Sequence, residues 1–255
     1  MQLQFSTWPD VEHYLQRSNG IIIPLGSTEQ HGPSGLIGTD ALCAEAIAKG
    51  VGEQFEILIA PTLSLGVAQF NLAFAGTISI RARTLMALIE DVVHSLARHG
   101  FTRLYFLNGH GGNIAPLKAI FQDLYHPFSM SGERCPYRCR LRSWWEYPQT
   151  NALRQQHFAE YEGLHATPSE IAITQAVWPD SIRPQTLKPV AVLKPAFIRE
   201  RGGDNHFDAL DHQQEFPDGR VGSDPNLATA GLGEKLLTSA IAEAYSDYQA
   251  FLKEP

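Results

Sequence analysis

Apolar positions along the chain fall into two rhythms that take turns. Gly20-Ile21-Ile22-Ile23-Pro24-Leu25-Gly26 is a continuous β-branched run, the pattern of a strand buried on both faces. Leu104-Tyr105-Phe106-Leu107 is a second such run, and Glu56-Ile57-Leu58-Ile59-Ala60 a third that Pro61 closes. Thr77-Ile78-Ser79-Ile80 alternates as a short strand does, and Cys135 to Trp144 reads as a strand with interleaved basic residues.

Helical spacing fills the intervals. Ala41, Leu42, Ala44, Ala46, Ile47 and Ala48 predict a helix ending near Gly50, and Leu85, Leu88, Ile89, Val92 and Leu96 make one stripe that Gly100 stops. Asn113 is placed to cap a helix carrying Leu117, Ile120, Phe121 and Leu124. Residues 149–162 read as partly helical, Pro168 opens a helix through Ile173, and Asp224-Pro225 launches a last one bearing Leu232, Leu236, Ala240, Ala244 and Tyr248. Two stretches have no period: 62–76, a loop long enough to suggest a function, and the polar loop 202–222.

Strands alternating with helices imply an α/β fold, one mostly parallel sheet covered on both faces. No linker divides residues 1–255, which read as a single domain. Composition narrows the partners. The formal charge is −7 and no block of lysine or arginine stands out, which argues against nucleic acid and anionic membrane. No run approaches the roughly 18 apolar residues of a membrane span. The amino end, Met1 to Trp8, lacks the basic start and apolar core of a signal peptide. Cys43, Cys135 and Cys139 form no CxxC pair, so free, mostly buried thiols and a cytoplasmic location are expected.

Candidate chemistry gathers where strands end. Gly109-His110-Gly111-Gly112-Asn113 follows the Leu104–Leu107 run, presenting a single imidazole at a strand's carboxyl end, where open parallel sheets place their ligands. After the first strand comes Glu29-x-His31, whose side chains point to one side if the backbone is extended. Asp40 stands at a helix start, where it can serve as an N-cap, as a carboxylate bridging two cations, or as both. His165 sits in the loop ahead of Glu170, which the helix dipole favours in a first turn. Imidazoles mixed with carboxylates suit zinc, manganese or a pair of cations, and two cations about 3.5–4 Å apart can share a hydroxide while polarising a carbonyl. The other histidines, His13, His94, His99, His126, His157, His206 and His212, lack such settings and are expected to be structural or solvated.

With these residues in place, the chain resembles the creatininase (creatinine amidohydrolase) family. The matching pieces are PLGSTEQHGP, GTD at 38–40, FAGTISI, ARHGF, NGHGGN, HATPSE and GSDPNLATA, in family order from about residue 20 to 230. The resemblance implies a three-layer α/β/α sandwich, assembly as homohexamers, and a small-molecule amide as substrate. It also implies two divalent cations per chain, zinc and/or manganese, held by Glu29, His31, Asp40, His110 and Glu170 with Asp40 bridging. His165 matches the histidine that passes a proton to the leaving nitrogen. The function so implied is an amidohydrolase cleaving a non-peptide C–N bond, a cyclic amide or formamide, through a metal-bound hydroxide. Trp144 and Trp145, past a strand end, could wall the substrate pocket or an oligomer interface.

Departures bear on substrate. Creatinine-cleaving members carry a metal-binding glutamate where this chain has Gly112, and in glycine-bearing members the counterpart of Glu170 supplies the carboxylate. Histidine is more frequent in the family at Asn71 and near Ser34, and proline at Ala75. Creatinine, a formamidopyrimidine-type compound and a short modified peptide remain alternatives as substrate. Rival readings are a non-catalytic protein cradling an anion at the helix after Asn113, and a metal-stabilised structural subunit.

Overall fold

A computed structural model describes residues 1–183, 185–193 and 208–255. Ahead of the sheet lies α1, Trp8–Leu15, started by a capping box between Thr7 and Asp10 with proline in its first turn. Strand β1 is Gly20–Leu25, followed by α2 (Thr39–Phe55) and α3 (Ala82–Arg98). Strand β2, Arg103–Asn108, leads to α4 (Ile114–Ser131), and β3 is Arg138–Ser143. Then come α5 (Pro148–Phe158), α6 (Pro168–Val177), α7 (Ala209–Glu215) and α8 (Ala230–Leu252).

The strands form a parallel sheet in the order β1-β2-β3, with Leu25 beside Asn108 and Asn108 beside Ser143. Parallel neighbours need crossovers, and the helices between them supply these. Alternation along each strand divides the core. Ile22, Tyr105 and Leu107 face α2, α6 and α8, while Ile21, Ile23, Leu25, Leu104 and Phe106 face α1, α3 and α4. The result is a three-layer α/β/α arrangement. Each β1 isoleucine is fully buried, which contributes about 1.5–3 kcal/mol per side chain.

Several expected elements differ in extent. Residues 56–60 make only isolated parallel bridges, from Ile59 to Ile22 and to Gln2, the first flanked by Ile22 N–H to Leu58 O at 3.1 Å and Ala60 N–H to Ile22 O at 2.8 Å. Pro24 and Pro61 have no N–H to give, so a ladder cannot run on. Residues 77–80 likewise make only bridges, Ile78 to Thr28 and Ser79 to Gly66. Helix α2 runs past Gly50 to Phe55, and Gly50 serves instead to let Ile241 of α8 pack against it: a Cβ there would stand 2.2 Å from Ile241 Cδ1. Asp224 caps only a short turn, Pro225–Leu227, and the last helix starts instead behind Thr229, whose hydroxyl accepts the Leu232 N–H. Within the expected 202–222 loop, residues 202–207, with His206, lie outside the described residues, and Asp208 caps α7. Among the described residues the cysteines are free, Cys43 buried and the other two half-buried, and no helix is long and apolar enough to cross a membrane.

Candidate metal centre

The carboxyl ends of β1 and β2 and the first turns of α2 and α6 meet at one place. Glu29 and His31 follow β1, Asp40 lies in the first turn of α2, His110 follows β2, and His165 and Glu170 flank the start of α6. All six are at most 8% exposed. Close backbone approach makes the meeting possible. A Cβ on Gly109 would lie 2.1 Å from the Asp40 carbonyl, so the turn after β2 presses onto α2 only as glycine.

Asp40 is not the N-cap of α2; Gly38 holds that position. Its carboxylate is spent on other partners: Oδ2 accepts from Ser27 Oγ at 2.7 Å and lies 2.8 Å from His110 Nδ1, and Oδ1 lies 2.9 Å from His31 Nε2. Asn113 does occupy the cap position of α4, yet its side chain does not cap. Fully buried, it donates to Gly26 O at 2.9 Å and accepts from Val67 N at 3.2 Å, tying the end of β1 to the 62–76 loop.

The imidazoles share one pattern. His31 Nδ1 lies 3.0 Å from Glu29 O, His110 Nε2 2.9 Å from Val67 O, and His165 Nε2 2.7 Å from Gln30 O. A carbonyl only accepts, so each of these nitrogens carries the proton. In the neutral rings the opposite nitrogens are lone pairs, and each faces a carboxylate: His31 toward Asp40 and Glu170, His110 toward Asp40 and Glu29, His165 toward Glu29 at 3.5 Å. Lone pair against carboxylate is repulsive unless a proton or cation lies between. A backbone partner on one nitrogen and an open second nitrogen is the arrangement of metal-binding histidines.

Glu29 makes the same point. It is 0% exposed and, among the described residues, neither carboxylate oxygen has a hydrogen bond, a costly state for a buried charge with no cation beside it. Ligand atoms of Glu29, Asp40 and His110 lie within 4.8 Å of one another, and so do those of His31, Asp40 and Glu170. Asp40 is common to both groups. A third group of the same span, Glu29, His31 and His165, puts His165 at ligand distance as well. The donor set fits zinc or manganese.

With protons as the only cations, the electrostatics are tense. Burial raises Glu29 to about 7 and Glu170 to about 7 against the pull of His110 and His31. Burial by itself would lower the two histidines, but Asp40 and Glu170 carry His31 to about 10, and Glu29 and Asp40 carry His110 to about 10. Burial would likewise raise Asp40, yet His31 and His110 hold it well below the usual carboxylate range. His165 is lowered to about 3 by burial and by the His31 charge, so it is neutral near pH 7.

Beside these groups is a cavity of about 230 Å³, bordered by Phe70, Trp144, Trp145 and Arg154 as well as His110 and Glu170. Both tryptophans thus line it, Trp144 fully buried and Trp145 half-buried, in an edge-to-face pair. Sequence reasoning did not single out Ser27, Gln30 or Arg154. Ser27 and Gln30 lie within the PLGSTEQHGP stretch, so their neighbours were a signal; Arg154 sits in an ordinary polar helix and had none. Asn71 is buried with its Oδ1 accepting from Gln30 Nε2 at 2.7 Å.

The family model Creatininase, described as creatinine amidohydrolase, matches residues 4–246. The chain belongs to the creatininase family. Among curated creatininase relatives, it is 29% identical over 248 residues to a mycofactocin precursor peptide peptidase of Mycobacterium tuberculosis, covering 93% of this chain and 88% of the relative. A Mycobacterium ulcerans protein of the same name is 38% identical over 128 residues, where the chain spans 47% of the relative's length. Creatinine amidohydrolase of Pseudomonas putida is 26% identical over 186 residues, 69% of this chain and 71% of that one. In structure, a type II mutant creatininase superposes with a TM-score of 0.82 at 22% identity, covering 99% of each chain. A Zn-Zn form and a manganese form of creatininase share this fold too.

Gly112 is packed tightly against the His110 loop. A Cβ there would stand 2.2 Å from Val67 O and 2.6 Å from His110 Nε2, so the space beside the His110–Val67 hydrogen bond is filled. A side chain at this position needs a different path for the loop around His110.

Proposed function

We propose that the chain is a divalent-metal-dependent hydrolase of an amide C–N bond, with Glu29, Asp40 and His110 holding one cation, His31, Asp40 and Glu170 a second, and Asp40 bridging. The observation that carries this is the shared pattern of the imidazoles, each anchored to a backbone carbonyl and open toward buried carboxylates. Zinc or manganese there supplies Lewis-acid polarisation of the carbonyl and activation of water at neutral pH.

The chain's own residues supply the rest. His165, neutral and anchored through Nε2 to Gln30 O, offers Nδ1 as the site that takes a proton from the attacking water. That proton passes to the leaving nitrogen as the C–O bond forms and the C–N bond breaks, so the shuttle begins as a base and ends as an acid. Trp144 and Trp145 wall the cavity and give it an apolar face.

Substrates other than creatinine are favoured by Gly112 and by the peptidase relatives; a cyclic amide, a formamide and a terminal peptide bond are the candidates. The same reading extends to a homohexamer, which sedimentation tests, and to a cytoplasmic location, which cell fractionation tests. An anion at the helix after Asn113 would meet Glu29 and Asp40 around His110, which weighs against the anion-cradle alternative. The test is a panel of creatinine, an N-formyl compound, an N-acyl amino acid and a short peptide, offered to zinc- and manganese-loaded protein. Hydrolysis of one, lost in Glu29→Gln, supports the reading; no hydrolysis in either metal counts against it.

A further inference from the structure

The cavity lining is of two kinds: Glu29, Asp40, His110 and Glu170, and Arg154, which comes from α5 with its side chain 13% exposed. Arg154 is paired with Glu162, with Nε at 2.9 Å and Nη2 at 2.8 Å from Glu162 Oε1. Its Nη1 donates to Trp145 O and Asn151 Oδ1, both at 3.2 Å. Nε also donates to Ser169 Oγ at 3.2 Å. Among the described residues these partners use the Nε hydrogen, both Nη1 hydrogens and one on Nη2, which leaves the second Nη2 hydrogen for a ligand.

Glu162 is 4% exposed and does not border the cavity, while Arg154 does. The ion pair is therefore oriented, positive end to the cavity. Trp144, which also borders the cavity, has its ring 5.7 Å from the Arg154 guanidinium and helps to hold it in place. A guanidinium that borders a cavity is suited to a carboxylate.

We propose that Arg154 seats a carboxylate that the substrate carries next to its scissile amide. This rests on the hydrolase reading above, since the carboxylates and imidazoles bordering the same cavity must hold the metal that receives the carbonyl. The cavity, about 230 Å³, is below the roughly 300 Å³ at which pockets for drug-sized ligands begin, so the carboxylate belongs within one residue of the bond cleaved. N-acyl amino acids and the last peptide bond of a chain both carry that group. A cyclic urea without an anion does not.

The test is calorimetric binding to metal-loaded protein, with hydrolysis of the same compounds followed alongside. N-acetylglycine is compared with N-acetylglycinamide, and glycylglycine with glycylglycinamide, to separate the acyl amino acid from the peptide source. Wild type should bind the carboxylate of at least one pair about tenfold or more tightly than its amide. Arg154→Gln should abolish that ratio with metal content unchanged, and Arg154→Lys should recover part of it. Should Arg154→Gln fail to fold with Glu162 unpaired, the double variant Arg154→Gln, Glu162→Gln removes the pair without a stranded charge. Equal or unmeasurable binding of every acid and its amide, or a preference kept in the glutamine variants, overturns the inference. Preference without hydrolysis would defeat the hydrolase reading alone, and hydrolysis without preference this inference alone.

Discussion

Asp40, in the first turn of α2, holds its Oδ2 2.8 Å from Nδ1 of His110, beyond the end of β2. Its Oδ1 turns instead to His31. One carboxylate thus joins the two halves of the site, and its loss should differ in kind from the loss of any other ligand. Asp40→Asn is expected to lose both cations, whereas Glu170→Gln loses one, as read by elemental analysis per chain. Equal loss in the two variants would contradict a bridging role.

His165 separates shuttle from ligand. If it moves protons, His165→Ala keeps its metal while kcat falls about 10²- to 10⁴-fold. If it binds metal, content falls with activity. Measuring both on one preparation decides between them.

The metal-free protein should lose stability as pH rises. His31 and His110 are raised from 6.5 to about 10 in the folded chain. A raised folded pKa stabilises fully below the unfolded value and is lost as pH climbs through the folded one, so the loss runs from about pH 7 to about pH 10. Glu29 and Glu170, raised from 4.5 to about 7, work in the same direction at lower pH. His165, lowered to about 3, works oppositely, but only below its unfolded value of 6.5. Cations that displace these protons should flatten the alkaline loss and release protons on binding. Urea unfolding at pH 7 and pH 9.5, with and without zinc, reads it; an alkaline loss unchanged by metal would refute it.

Gly112→Ala probes the packing around His110. The added Cβ meets Val67 O at 2.2 Å and His110 Nε2 at 2.6 Å, and neither is the end of a flexible chain. Overpacking of this kind costs about 1–3 kcal/mol, and at about 2–4 °C per kcal/mol for a chain of this size the metal-free melting temperature should drop by several degrees. An unchanged midpoint would show that the loop gives way.

Much of this was legible in the sequence because buried strands advertise themselves. The runs at Ile21–Ile23 and Leu104–Leu107 are apolar on both faces since helices cover both, and glycines around His110 announced the turn. The segment 56–60 misled because its apolar run is real while the hydrogen bonding beside it is cut by Pro24 and Pro61. Helix α1 was overlooked although Thr7-Trp8-Pro9-Asp10 carries a cap, a proline and an acidic third residue. At the site, side-chain types pointed to Glu29, His31, Asp40, His110, His165 and Glu170, but the carbonyls of Glu29, Gln30 and Val67 that orient the imidazoles carry no sequence signature. Arg154 was invisible for a different reason: only the fold turns that face of α5 toward the cavity.

The most direct measurement is the metal content of untagged protein, by elemental analysis, beside Glu29→Gln and His110→Ala. The account predicts near two equivalents of zinc, manganese or a similar ion per chain in the wild type and a clear loss in both variants. Wild-type protein that holds no metal even after reconstitution, or variants that keep the full complement, would contradict it.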